Sequence, residues 1–299
     1  LRAAALLRLV RWPGAVTAAA NAMTGFLVAH SHRATTHEEA VAAFGAAAGG
    51  AVVYAGGVVL NDVADASRDV AIHPGRPIPS GQVTVAAART LGLALLVAGA
   101  AASMAFAGPW AGAATAAAAL CAFAYDFAAK GRRVPGAVVL GLARAANAAA
   151  GALAGASAPD LQARAGDELV LWYVAAVFAY TVVLTTASTF EDGEPSKTAA
   201  GAFATVLFVA AALPWARFFA AWRAGPVFAY LPLSATLVVA GRDAAEPAGP
   251  GMGAVVRAGV FGFVLADSAW LLGTGRYDRG FEMLLGYVAL RFILSRARS

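Results

Sequence analysis

An all-α bundle of about nine helices spanning a membrane is the fold this sequence predicts, and three observations predict it. Of the 299 residues, 60% are hydrophobic and only 13% are charged, where soluble domains carry about 25% charged residues. Apolar runs of membrane-crossing length recur from one end of the chain to the other, and mean hydropathy is +0.69. Glycine and alanine are abundant within those runs, as in membrane helices whose backbones approach closely. A transmembrane β-barrel would show period-two alternation instead.

Element by element, the chain begins with "LRAAALLRLVRWPGAV", read as a juxtamembrane helix leading into the first span and not as a signal peptide. The predicted spans are 13–30, 42–64, 84–107, 109–128, 135–157, 168–190, 199–220, 226–241 and 253–273. A further apolar stretch, 281–294, is short enough to lie in the interface or to cross obliquely as a tenth. No boundary divides the chain, so 1–299 reads as a single integral-membrane domain with membrane lipid around it. Oligomeric state is left open.

Charge placement sets function classes aside. The net charge is +5, but the basic residues sit in short loops between apolar runs, which fits membrane topology and not nucleic-acid binding. Cys121 is the single cysteine and reads as a small buried hydrophobe. One side of the membrane collects Arg2, Arg8, Arg11, Arg68, Arg76, Lys130, Arg132, Arg133 and Lys197. The other holds Arg33 and Arg164 beside Glu38, Glu39, Asp160, Asp167 and Glu168. The positive-inside rule therefore predicts a cytoplasmic N-terminus and cytoplasmic loops after spans two, four and six, in a cell inner membrane.

The second span ends in "NDVADASRDVAIHPGRPIPSG", residues 61–81. On a continuous helix Asp62, Asp65 and Asp69 fall within an arc of about 60°, with Asn61 within about 100° of them. Uncompensated, three carboxylates on one face repel one another. Mg²⁺ relieves that repulsion, being a hard cation that binds one or two carboxylates together with substrate phosphates. Arg68, Arg76, Lys130, Arg132, Arg133 and Lys197 are placed to hold the rest of a diphosphate. A helix end whose acids pair with Arg68 and Arg76 is the plainer alternative.

This stretch resembles the first aspartate-rich motif of the UbiA superfamily of intramembrane prenyltransferases, N-D-x-x-D-x-x-x-D followed by an R-P-(I/L)-x-S-G loop. The resemblance extends over nearly the whole chain. Asn21 stands where the family carries a helix-one asparagine, and "YDFAAKGRR" (125–133) resembles a Tyr…Lys stretch that contacts diphosphate, which implies a binding role for Asn21, Tyr125 and Lys130. It further implies a helical bundle, a Mg²⁺-bound prenyl diphosphate and a lipophilic, aromatic acceptor.

Two stretches depart from the common pattern. "TTASTFEDGEPSK" (185–197) has Thr189 and Ser196 where the second motif usually has aspartate. Either Glu191 and Asp192 hold the second metal with hydroxyls helping, or this half of the site is weakened; a surface helix end is the competing reading. In "GAVVLGLARAANAAAGAL" (136–153), Arg144, Asn147 and Gly151 share one helix face, and an arginine at that depth usually faces a bundle interior. The pattern is similar to an EboC-type UbiA branch and marks Arg144 as a catalytic and Asn147 as a diphosphate-binding candidate. A structural pairing of Arg144 with Asp126, Asn21 or a carbonyl is the alternative.

Asp267 is a lone intramembrane acid expected to pair with Arg257 structurally. Trp110, Trp172, Tyr173, Phe178, Tyr180 and Trp270 are expected mainly as lipid-facing or interfacial anchors, with carbocation shielding as the second reading. The mechanism that follows is departure of diphosphate assisted by Mg²⁺, with Asp62, Asp65, Asp69 and Asp192 as catalytic carboxylates that hold the metal and Glu191 helping. The allylic cation is then captured by an acceptor entering from the lipid. A non-catalytic isoprenoid-binding relative and a transporter are the rivals.

Overall fold

The computed structural model describes residues 3–31, 34–191, 197–212, 224–244 and 251–296. Those residues form thirteen α-helices and a π-helical turn. They are α1 (Ala3–Leu9), α2 (Trp12–Ala29), α3 (His37–Ala64), α4 (Ala66–Ile72), α5 (Val85–Ala107) and α6 (Pro109–Ala124), which runs into the π turn Tyr125–Ala129. There follow α7 (Arg133–Ala152), α8 (Ala158–Ala165), α9 (Glu168–Ser188), α10 (Lys197–Ala212), α11 (Val227–Asp243), α12 (Met252–Gly273) and α13 (Tyr277–Arg296).

Each predicted span coincides with a helix. Six of these, in α3, α5, α6 with its π turn, α7, α9 and α12, are long and apolar enough to cross a membrane. The molecule is an integral membrane protein. The other three and the possible tenth fall short for different reasons. Helix α10 is a shorter apolar helix over Thr198–Ala212, and α11 has 17 residues with Pro232 inside it. Helix α2 is long enough at 18 residues but is made less apolar by Trp12, Pro13, Thr17, Asn21 and Thr24, and α13 carries Asp278, Arg279, Glu282 and Arg291. The expected span 135–157 stops at Ala152, because Leu153 caps the helix and Gly155 turns the chain at φ 68°. Residues 213–220 of the expected span 199–220 lie outside the described residues.

Local chemistry explains the helix starts. Thr36 and Glu39 form a capping box at the head of α3, each side chain reaching the other's backbone N–H. Asp167 accepts from Leu169 and Val170 at the head of α9. Between α5 and α6, Gly108 at φ 92° makes the turn that Pro109 then continues as a first helical residue.

Helix α2 sits at the middle, packed against α3, α7, α9 and α12. Against α7 it approaches so closely that a Cβ on Gly25 would overlap the Ala148 carbonyl and one on Gly151 the Ala22 carbonyl. The main apolar core lies between α9, α10, α11 and α12, with Tyr173, Tyr180 and Trp270 fully buried in it. Tyr173 and Trp270 meet edge to face at 5.4 Å. The expectation that these three aromatics face lipid is thereby corrected; Trp110 and Trp172 are exposed, as anchors are.

Candidate active site

Helices α2 and α7 begin, and α3, α6 and α9 end, at the same end of the bundle, and the acidic stretch lies there. Helical hydrogen bonding runs through the junction of α3 and α4, from Asp65 N–H to Asn61 C=O (3.0 Å) and from Asp69 N–H to Asp65 C=O (2.9 Å). The i, i+3, i+7 spacing therefore survives the break, and Asp62, Asp65 and Asp69 stay at one end of the bundle.

Each acid holds its own base. Arg11 donates to Asp62 at 2.6 Å, Lys130 to Asp65 at 2.6 Å and Arg76 to Asp69 at 2.5 Å. Arg76 also lies 4.0 Å from Asp62, so one guanidinium bridges two carboxylates. Asp62 and Asp69 are buried. Three carboxylates against three cations leave the cluster near neutral, and no three acids converge as a ready metal cluster among the described residues. The repulsion that Mg²⁺ was expected to relieve is relieved here by bases. The donor set still fits Mg²⁺, because every candidate ligand is a hard carboxylate oxygen and one or two suffice beside a diphosphate.

Behind this mouth a cavity of 320 Å³ runs into the bundle between α2, α3, α6, α7, α9 and α12. Its mouth is lined by Arg11, Asn61, Tyr125, Asp126, Ser188 and Glu191. Deeper walls are largely apolar, with Val53, Leu140, Leu184, Val260 and Phe263. The π turn re-aims Tyr125 and Asp126 at the end of α6, and Asp126 accepts a hydrogen bond from the Asn61 amide at 2.9 Å. Glu191 keeps a solvent-exposed face, yet partial burial at the rim pushes its carboxyl up, against the opposing pull of Arg257, Arg11 and Arg76.

Other predicted residues fall in different places. Arg68 and Arg132 are exposed at this end of the molecule, and Arg133 lies over the Phe190 ring at 4.7 Å. Asp192 lies outside the described residues, as does the Lys197 side chain. Arg144 and Asn147 both line the cavity. Arg144 pairs with neither Asp126 nor Asn21: it donates to the Thr17 hydroxyl and stacks over Phe263 (4.4 Å) and Tyr54 (5.3 Å).

Asn21 is placed away from the cavity. Fully buried, it donates to Asp267 at 2.7 Å, and the Tyr173 hydroxyl donates to the other Asp267 oxygen at 2.8 Å. The expected diphosphate contact of Asn21 gives way to a hydrogen bond in the core, and the expected Asp267–Arg257 pair gives way to these two neutral donors. Arg257 stands near Glu191 instead.

Sequence reasoning missed Arg11 as a partner of the acids. It is the only non-glycine residue with positive φ (44°) among the described residues. Strained backbone of this kind concentrates at functional sites. The signal available was an arginine directly before "WPG" at a helix start.

A model of the UbiA prenyltransferase family matches residues 18–247. A digeranylgeranylglyceryl phosphate synthase from Ignicoccus hospitalis is 40% identical over 114 residues, 38% of this chain and 37% of that relative. The chain thus spans little more than a third of the length of that relative. Among solved structures, a UbiA homolog from Aeropyrum pernix superposes with a TM-score of 0.61 at 17% identity, covering 91% of this chain and 98% of the other. A UbiA homolog from Archaeoglobus fulgidus bound to GPP and Mg²⁺ gives 0.60 at 15% identity, covering 91% and 99%. These likenesses establish the fold. The relative's name carries a glyceryl phosphate, which supports neither the EboC-type branch nor an aromatic acceptor.

Proposed function

The chain belongs to the UbiA prenyltransferase family, and from that premise we propose that it transfers a prenyl group from an allylic prenyl diphosphate to a lipophilic acceptor within the membrane. The observation that carries this reading is one continuous cavity with a charged, ion-paired mouth and an apolar interior inside the bundle. A prenyl diphosphate has that same polarity.

Asp62, Asp65 and Asp69, with Glu191 from across the mouth and Asp192, its neighbour in the sequence, are the residues that would hold Mg²⁺. When bound, the ion supplies positive charge beside the leaving diphosphate. Arg11, Arg76 and Lys130 exchange their carboxylate partners for diphosphate oxygens and stabilise the charge developing there. Val53, Leu140, Leu184 and Val260 exclude water from the allylic carbon. The Tyr54 and Phe263 faces lie along the same cavity, where positive charge on the chain is favoured.

The test is release of diphosphate by purified protein from C10 to C20 prenyl diphosphates, with and without Mg²⁺ and with extracted lipids as acceptors. Mg²⁺-dependent release that rises with lipid is the expected result. Tight binding with no release under any condition overturns the enzyme and assigns isoprenoid binding.

The mouth faces the cytoplasm in this proposal, because Arg8, Arg11, Arg76 and Lys130 gather at that end. A reporter inserted between residues 73 and 81 is expected on the cytoplasmic side of the cell membrane, and one within α8 on the opposite side. Reversed accessibility of the two reporters would invert the topology.

A further inference from the structure

We infer that Arg144 and Asn147 form a subsite for a hydroxyl group of the acceptor, deep in the cavity and separate from the diphosphate mouth. The inference rests on the prenyltransferase reading and adds the chemistry of the second substrate.

Arg144 is the only buried lysine or arginine among the described residues, at 8% exposure. No carboxylate stands within 4 Å of it among those residues; its one hydrogen bond goes to the Thr17 hydroxyl, and its Nη1 has no partner. Asn147, one turn further along the same face of α7, is 5% exposed and its Oδ1 also lacks a partner. The orientation of that amide follows from its other end, since Nδ2 donates to the Ala18 carbonyl at 2.8 Å. Both side chains line the cavity. Unpartnered polar atoms in a membrane interior are costly and mark sites of use.

Depth separates this pair from the mouth. The rise from Arg11 to Thr17 on α2 is about 9 Å, and from Tyr54 to Asp62 on α3 about 12 Å. A diphosphate held at Arg11 and Asp62 thus lies about two helical turns from the level of Thr17 and Tyr54, the residues that Arg144 touches. The prenyl chain brings no polar atom to that level. The acceptor is the substrate left to do so.

The two orphaned atoms ask for opposite things. Nη1 needs a hydrogen-bond acceptor and Oδ1 needs a donor; a hydroxyl is both donor and acceptor. A carboxylate or phosphate offers only acceptors and would leave Asn147 Oδ1 unmatched. Asp267, the nearest intramembrane acid, is already engaged by Asn21 and Tyr173. Gly50 gives Asn147 the room to hold this position, since a Cβ there would overlap Oδ1.

The experiment compares 4-hexylphenol with 4-hexyltoluene, which replaces the hydroxyl by a methyl of similar size. Binding to detergent-purified protein is measured by equilibrium titration and corrected for partition into detergent. The phenol is expected to bind about tenfold tighter, roughly one good polar contact. In Asn147→Leu and in Arg144→Met that ratio is expected to fall to about one. Equal binding of the two compounds to the wild-type protein overturns the subsite without reference to any variant. So does a tenfold ratio that persists in both variants. Diphosphate release from geranyl diphosphate by the same wild-type preparation tests the prenyltransferase reading separately. Release with equal phenol and toluene binding removes the hydroxyl subsite and leaves that reading intact.

Discussion

Replacing Asp62 with asparagine is expected to lower Mg²⁺-dependent diphosphate release about a thousand-fold, on the order of 4 kcal/mol of transition-state stabilisation. Asp62 is buried and stands between two guanidinium groups, Arg11 at 2.6 Å and Arg76 at 4.0 Å. Asparagine keeps the volume and one oxygen but removes the charge that a hard divalent cation requires. The variant should still fold, because Arg11 is 43% exposed in its side chain and can be hydrated when its partner is lost. Size-exclusion behaviour and thermal midpoint separate loss of chemistry from loss of fold. A folded variant that releases diphosphate within tenfold of the wild-type rate at ordinary Mg²⁺ would remove Asp62 from the site.

The parts of this molecule that were legible in its sequence are those governed by near neighbours along the chain. Helices could be read because apolar runs are long and are punctuated by Thr36, Gly108 and Asp167, whose capping or turning chemistry is local. The acids at 62, 65 and 69 could be grouped because three- and four-residue spacings bring side chains together on any helix. What the acids touch could not be read. Arg11 reaches Asp62 only because α2 begins where α3 ends, a relation of the packed bundle. Asp126 is aimed at Asn61 by a π turn, which breaks the spacing that sequence reasoning assumes.

Interior and lipid-facing surfaces were confused for a physical reason. Lipid is as apolar as a core, so a helix such as α9 is hydrophobic all round and its pattern does not say which side is inside. Tyr173 and Tyr180 therefore read as interfacial anchors, while their hydroxyls bond Asp267 and the Gly259 carbonyl in the core. Asp267 was assigned a partner on its own helix, Arg257, and found two from α2 and α9 instead. A lone charge in a membrane draws on whatever donors the fold brings to it.

Gly151→Val is expected to be the most damaging substitution away from the mouth, because it strikes the contact on which the deep cavity wall depends. A Cβ at Gly151 would overlap the Ala22 carbonyl, and Gly25 meets the Ala148 carbonyl in the same way from the other side. Neither neighbour is a side chain that can rotate aside, so α2 and α7 must move apart. Overpacking commonly costs about 1–3 kcal/mol, and a backbone-to-backbone clash belongs at the upper end. Separation would also pull Thr17 and Ala18 away from Arg144 and Asn147, whose hydrogen bonds cross the same interface. The expected result is a fall in thermal midpoint on the order of 10 °C, or failure to yield monodisperse protein. Gly286→Ala is the matched control, since a Cβ there meets nothing within 4 Å. That change in mid-helix favours the folded state by up to about 1 kcal/mol, so its midpoint should not drop. A Gly151→Val protein that melts with the wild type would show that α2 and α7 do not need their close approach.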